Sequence, residues 1–220
     1  MLGLENKIRF CTSEPNIKWN LDYKPGRIIM FILNNLSSVV FQKWQDTSGM
    51  ERGTYIIVLG GSDRRTTIFT IHLLYKRSIY AMGNSTVIKQ QCLVMQWTNR
   101  KDYPYQAAIQ NIIIVINKKV KEVHDIILFV DGNEYFINAA GGIVKLYRHY
   151  TFFDSLDRKH GNVSNENPHL CGSKNIAFIF CSFNILETVK KCSMAYFNNI
   201  TTSDRYGLFL EISRDILLKY

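Results

Sequence analysis

No stretch of this sequence is apolar for long enough to cross a bilayer as a helix. The longest apolar runs, such as Ile112–Ile116 and Ile126–Val130, fall far short of the ~20 residues required. Nor is a secretory leader legible, because Met1 to Phe10 carries Glu5, Lys7 and Arg9 where a leader has its apolar core. Cysteine follows no pairing pattern. The five residues Cys11, Cys92, Cys171, Cys181 and Cys192 are odd in number and contain no CxxC, which argues against a disulfide framework and for a reducing compartment. Internal repeats and low-complexity segments are lacking too. So are the phosphate loop GxxxxGK[ST], the dinucleotide turn GxGxxG, the zinc-protease HExxH and the nucleophile elbow GxSxG. His160, His169, Cys171 and Cys181 are loosely grouped but lack the paired short spacings that zinc prefers. From these absences we expect a soluble, cytoplasmic protein with no membrane contact, no metal and no organic cofactor, and a monomer.

What is present is an ordinary globular composition with a basic bias. The chain has 220 residues, 46% hydrophobic and 20% charged, enough for a single domain with its own core. Lys and Arg number 27 against 18 Asp and Glu, a formal net charge of +9. That excess suits a polyanionic partner. It also suits a solvated surface with a basic bias, since Arg64–Arg65, Lys118–Lys119 and Lys190–Lys191 are only pairs.

Periodicity divides the chain into a strand-rich part, 1–155, and a helix-rich part, 156–220, of one domain. Ile17 to Leu21 alternates as a half-buried strand does. Ile28 to Phe41 has apolar residues at helical spacing. Tyr55 to Leu59 reads as a buried strand, Gly60 to Asp63 as a tight turn, and Thr66 to Leu74 as the hairpin partner. Strands are expected at Ser78–Met82, Ile112–Ile116, Ile126–Val130 and Tyr135–Asn138, the last pair joined by an Asp131-Gly132-Asn133 turn. Leu156 to Pro168 reads as a long loop. Ile176 to Phe197 and Asp204 to Tyr220 read as helices. Strands first and helices last predict an α+β fold, with an N-terminal mostly antiparallel or mixed sheet, a flanking helix and a C-terminal helical part.

Three segments in order resemble the ribosome-inactivating proteins, the rRNA N-glycosidases. Asn16 to Asp22 with Phe31-Ile32-Leu33-Asn34-Asn35-Leu36 is similar to that family's opening strand and helix. Tyr55 to Leu59, Ser62 to Phe69 and Ile79-Tyr80-Ala81-Met82-Gly83 are similar to its strand, hairpin and "LYxxG" box. The third segment is the C-terminal pair of expected helices. The resemblance covers about half the chain and leaves 97–135 without a counterpart.

The resemblance implies depurination of an adenine in ribosomal RNA and inhibition of translation, as in plant-defence toxins, with the ribosome as partner. Such chemistry passes through an oxocarbenium-like state and needs an unstacked base between aromatic faces. Tyr80 and Tyr150 would then sandwich the adenine. Glu187 would stabilise the ribosyl cation and activate water. Lys190, where the family has Arg, would assist the leaving base, and Phe209, where it has Trp, would floor the pocket. Glu187 and Lys190, three apart on a helix, would share a face. They equally fit an exposed ion pair, and Tyr80 an interfacial strand residue. A rival register on Tyr196-Phe197-Asn198-Asn199-Ile200 puts Ser193 and Tyr196 at the catalytic positions. With the Lys190 and Phe209 departures, it leaves a second reading open: a catalytically inactive, basic RNA- or protein-binding module of the same fold.

Overall fold

Arg65 to His72 is rich in β-branched residues and turns alternate side chains into two different environments, which makes it the central strand of the molecule. The computed structural model describes residues 8–12, 29–45, 55–60, 65–73, 92, 95–97, 99–132, 142–161, 177–196 and 206–213. Its elements begin with β1 (Ile8–Thr12), β2 (Ile29–Leu33), a 3-10 turn (Asn34–Val39) and β3 (Val40–Gln45). Next come β4 (Tyr55–Gly60), β5 (Arg65–His72), α1 (Pro104–Lys121), β6 (His124–Asp131) and α2 (Ile143–His149). The chain continues through β7 (Phe153–Asp154), α3 (Ser155–His160), β8 (Ala177–Cys181), α4 (Phe183–Leu186), β9 (Val189–Tyr196) and β10 (Tyr206–Ile212).

Six of the described strands form one mixed sheet in the order β3-β4-β5-β6-β8-β7. Only β5 and β6 pair in parallel among the described strands. A parallel pair needs a long crossover, and α1 lies on the one that joins them. Pro104 at its first turn and Lys118, Lys119 and Lys121 in its last suit the two ends of a helix. The strands β1 and β2, and β9 and β10, make two separate antiparallel pairs.

The pleat of the large sheet sends its side chains into two cores. On one face Phe69, Ile71, Leu128, Val130, Phe178 and Phe180 pack against Ile109, Ile112 and Ile116 of α1 and Leu146 of α2. On the other, Ile68, Ile127, Ile179 and Cys181 pack against Met30 and Ile32 of β2, Leu156 of α3, and Val189, Cys192 and Ile212 of β9 and β10. The result is a helical layer, a central sheet and a second layer built largely from the two hairpins. The α+β class read from the sequence is the class observed.

Several segments differ from their expected type. Ile112–Ile116 is not a strand; it lies inside α1, whose buried positions Tyr105, Ala108, Ile109, Ile112 and Ile116 recur at helical spacing. Ile28 to Phe41 is not a helix but β2, the 3-10 turn and the start of β3. Ile176 to Phe197 is β8, one short helix and β9. Every residue of Ala177–Cys181 is buried, and a strand covered on both faces shows the same unbroken apolar run as a buried helix. Asp204 to Tyr220 holds β10 where a helix was expected. The hairpin of β4 and β5 and the strand at Ile126–Val130 are found as read. The expected strands at Ile17–Leu21, Ser78–Met82 and Tyr135–Asn138 lie outside the described residues.

Candidate functional site

Along β5, Ile68, Thr70 and His72 share the face that looks toward the hairpins. Along β6 the same face carries Ile127, Phe129 and Asp131, because side chains alternate with period two. Ile68 and Ile127 belong to the second core. Toward the carboxyl ends of the two strands the chemistry turns polar. His72 and Asp131 are direct partners in the parallel register, and His72 Nε2 stands 3.5 Å from Asp131 Oδ2. Their side chains are 20% and 29% exposed, so the pair is reachable from solvent yet held by its surroundings. The Leu73 amide donates to the Asp131 carbonyl at 2.8 Å and carries the ladder one step past the pair. On the flank of Asp131, β8 places Ala177 in register, a side chain of one methyl. Thr70 Oγ1, one pleat deeper than His72, is buried without a hydrogen bond among the described residues. The carboxyl edge of a parallel strand pair is where ligands of open α/β sheets bind, since it is the end where loops and polar side chains can converge.

A second histidine closes the opposite edge, and its surroundings give it a different part. His124 Nδ1 lies 2.7 Å from Thr67 Oγ1, and Nε2 lies 3.6 Å from Glu122 Oε2, itself 2.8 Å from Lys119 Nζ. Burial, helped by the Lys119 charge, lowers the His124 pKa and favours the neutral ring. This is a satisfied histidine tying β6 to β5 beneath the end of α1. A third polar group surrounds Asp154, the N-cap of α3, which accepts from the Leu156 and Asp157 amides. Its pKa is pushed up to about 6 by burial. Nearby, Ser155 Oγ donates to Cys181 Sγ at 3.0 Å, and Cys192 Sγ donates to the Ser155 carbonyl at 3.0 Å. Burial pushes the Cys181 thiol up to about 12, so it is a core residue and not a nucleophile.

Among the described residues, those expected to line an adenine pocket are not brought together. Glu187 is exposed at the C-cap of α4, and Lys190 is exposed on β9, so the two do not share a helix face. Phe209, 44% exposed, stands on β10 opposite Ser193. Tyr150 lies on the other side of the large sheet, packed on the helical core. Its hydroxyl is 3.0 Å from the Ile113 carbonyl and 2.9 Å from Asn117 Oδ1, which ties the end of α2 to α1. Tyr80 lies outside the described residues.

No family model and no curated protein matches the sequence. Solved structures do match. The 3′ phosphatase NExo from Neisseria, solved with a product DNA hairpin, superposes with a TM-score of 0.57 at 11% identity, over 95% of this chain and 80% of that one. An endonuclease/exonuclease/phosphatase family protein from Leptotrichia buccalis gives 0.51 at 14% identity, over 94% and 72%. The fold is similar to that of these two structures. The human nocturnin catalytic domain, solved with a sulfate anion, gives 0.50 at 13% identity, over 95% and 73%. At these identities the likeness is one of fold.

That likeness corrects the reading as a ribosome-inactivating protein. With it go the rRNA N-glycosidase activity, the toxin and plant-defence role, the ribosome as partner, and the inactive module of that other fold. The resemblance rested on a strand, a turn and a strand followed by Tyr, and on an apolar stretch before Glu187. The first pattern is common to many sheets. The second belongs to β8, a central strand, and not to a catalytic helix.

His72 and Asp131 escaped the sequence reading. Each ends an apolar strand, His72 after Ile68-Phe69-Thr70-Ile71 and Asp131 after Ile126 to Val130. A polar ionisable residue at such a place is the signal that could have found them. Asp131 equally suits the start of a turn, and His72 a position in an alternating strand. That the two strands are parallel neighbours is not written in either segment.

Proposed function

We propose that this protein hydrolyses phosphoester bonds of nucleic acid, at the edge of the sheet where β5 and β6 end together. The observation that carries the reading is the His72–Asp131 pair, an imidazole and a carboxylate 3.5 Å apart at the carboxyl ends of the parallel pair. Two further facts support it. Among proteins of this fold, NExo was solved with DNA and nocturnin with sulfate, a tetrahedral oxyanion like phosphate. The net charge of +9 favours a polyanionic substrate.

Hydrolysis forms a bond from a water oxygen to phosphorus and breaks the ester bond, and the leaving oxygen must gain a proton. His72 can take the proton from water or give one to the leaving oxygen. Asp131 beside it orients the ring and stabilises the imidazolium. Proton transfer is only part of the chemistry, because the phosphoryl oxygens also need cationic charge. Among the described residues no three His, Cys, Asp or Glu side chains converge as a metal site, so the assay is run with and without Mg²⁺ and Mn²⁺.

The substrates are a 3′-phosphorylated oligonucleotide and bis(p-nitrophenyl) phosphate. Removing the acid–base group in His72→Asn should lower the rate by roughly 10²–10⁴-fold with folding retained. Asp131→Asn should lower it less, because the ring remains. No turnover by the wild-type chain under any of these conditions, or full turnover by His72→Asn, would sink the reading.

A further inference from the structure

The two helices of the helical layer carry no carboxylate. Neither α1 nor α2 contains an Asp or Glu, whereas α1 ends on Lys118, Lys119 and Lys121 and α2 holds Lys145 and Arg148. Helices that merely face water usually mix both signs, because opposite charges a turn apart stabilise them. These cations lie on the solvent side. Ile109, Ile112 and Ile116 turn to the core, and on the opposite side of α1 stand Ile114, Lys118 and Lys121, all exposed. On α2, Ile143 and Leu146 turn to the core, and Lys145 and Arg148 are exposed opposite them. The Tyr150 hydroxyl, just past α2, reaches Asn117 Oδ1 on α1 at 2.9 Å, which sets the end of α2 beside the basic end of α1. Lys119 Nζ engages the Glu122 carboxylate at 2.8 Å. Lys118, Lys121, Lys145 and Arg148 make no ion pair among the described residues.

Apolar side chains stand among these charges. Ile114, one turn before Lys118, is 65% exposed, and Val120 and Val123 at the end of α1 are 45% and 71% exposed. Val123 is held at φ 61°, a conformation that a β-branched residue adopts only at a cost. There it offers water a side chain that would be more stable in an apolar medium. Phosphates alone would satisfy the lysines and leave these apolar groups in water. A layer of anionic lipid headgroups over acyl chains takes both, since lysine stems lie along the apolar boundary while their ammonium groups stay among the phosphates. No described helix is long and apolar enough to cross a membrane, and a peripheral face needs none. The His72–Asp131 pair lies on the other face of the sheet, toward the hairpins, so a surface lying against the helices leaves it uncovered.

We propose that the outer face of α1 and α2 docks the protein on an anionic membrane surface, with Lys118, Lys121, Lys145 and Arg148 on the headgroup phosphates and Ile114 inserted between them. The inference is independent of the phosphoester reading.

The test is co-sedimentation of the full chain with phosphatidylcholine vesicles, with and without phosphatidylserine, at low salt. Binding should require phosphatidylserine and fall as salt is raised. Each cation at an anionic surface is worth about fivefold in affinity, so Lys118→Gln with Lys121→Gln should weaken binding by roughly 25-fold. Ile114→Gln should weaken it by about tenfold, and Ile114→Leu should not. These side chains are all exposed, so the urea midpoint should hold, which separates lost docking from misfolding. Lys190→Gln with Lys191→Gln removes the same charge from β9, in the hairpin layer, and should leave binding unchanged. Equal binding to neutral vesicles, equal loss in the β9 variant, or no loss in Ile114→Gln overturns the proposal. So does duplex DNA that binds through Lys118 and Lys121 while vesicles do not, since the face would then serve nucleic acid.

Discussion

Asp154 is placed where its charge is costly and its geometry is useful. It caps α3 through two backbone amides, yet burial pushes its pKa up from 3.8 to about 6. A raised carboxyl pKa means that the folded state holds the proton more tightly than the unfolded chain. The associated stability is fully present below pH 3.8 and is lost as pH rises through about 6. At neutral pH the buried carboxylate is therefore a liability. Asn caps a helix as well as Asp does and carries no charge. Asp154→Asn should raise stability at pH 7 by on the order of 1–3 kcal/mol, since each pKa unit is worth about 1.4 kcal/mol. Urea unfolding at pH 7 checks this, and a lower midpoint for the variant would mean that the carboxylate is a better cap than its burial allows. The legibility of single residues follows the same logic. Asp154 and His72 look unremarkable in sequence, because what distinguishes them is desolvation and a partner drawn from elsewhere in the fold.

At the scale of the element, α1 bears the most weight. It lies on the crossover that makes β5 and β6 parallel, and its apolar stripe fills one core. Ile116 is wholly buried and Ile112 nearly so. Ile112→Ala or Ile116→Ala should cost about 2–5 kcal/mol, as truncations that leave a core cavity do. The urea midpoint should fall with an unchanged slope if the native state stays intact. Tyr150→Phe is a milder probe of the same helix. It removes the hydroxyl that reaches the Ile113 carbonyl and Asn117, and should cost about 1 kcal/mol. A loss as large as that of Ile112→Ala would show that Tyr150 does more than tie α2 to α1. The strand expected within α1 arises because its five consecutive apolar residues Ile112 to Ile116 look like a strand when taken alone. The helical period emerges only over the longer window from Tyr105 to Ile116.

At the scale of the molecule, two ionisable groups pull the pH response in opposite directions. His124 has a lowered pKa because burial penalises its charged form. A depressed histidine contributes stability that is present above its unfolded pKa of 6.5 and is lost as pH falls below it. Asp154 contributes in the other sense, gaining as pH falls through about 6. Between pH 7.5 and 5 these two groups thus work against each other. Asp154→Asn removes the compensating arm and should show a steeper loss on acidification. Thermal unfolding across that pH range measures it, and parallel curves for the two proteins would refute the opposition.

The sequence by itself determined the α+β class, the β4–β5 hairpin, the strand at Ile126–Val130 and the basic balance of the surface. These depend on local periodicity, turn chemistry and composition, all carried by short windows of residues. Only the tertiary structure decided that Ala177–Cys181 is a central strand, because an apolar run buried on both faces carries no period to read. Only the tertiary structure set His72 beside Asp131, residues 59 apart in the chain by their numbers. Parallel pairing across a long crossover brings strand ends together through packing, and no local pattern encodes which ends will meet.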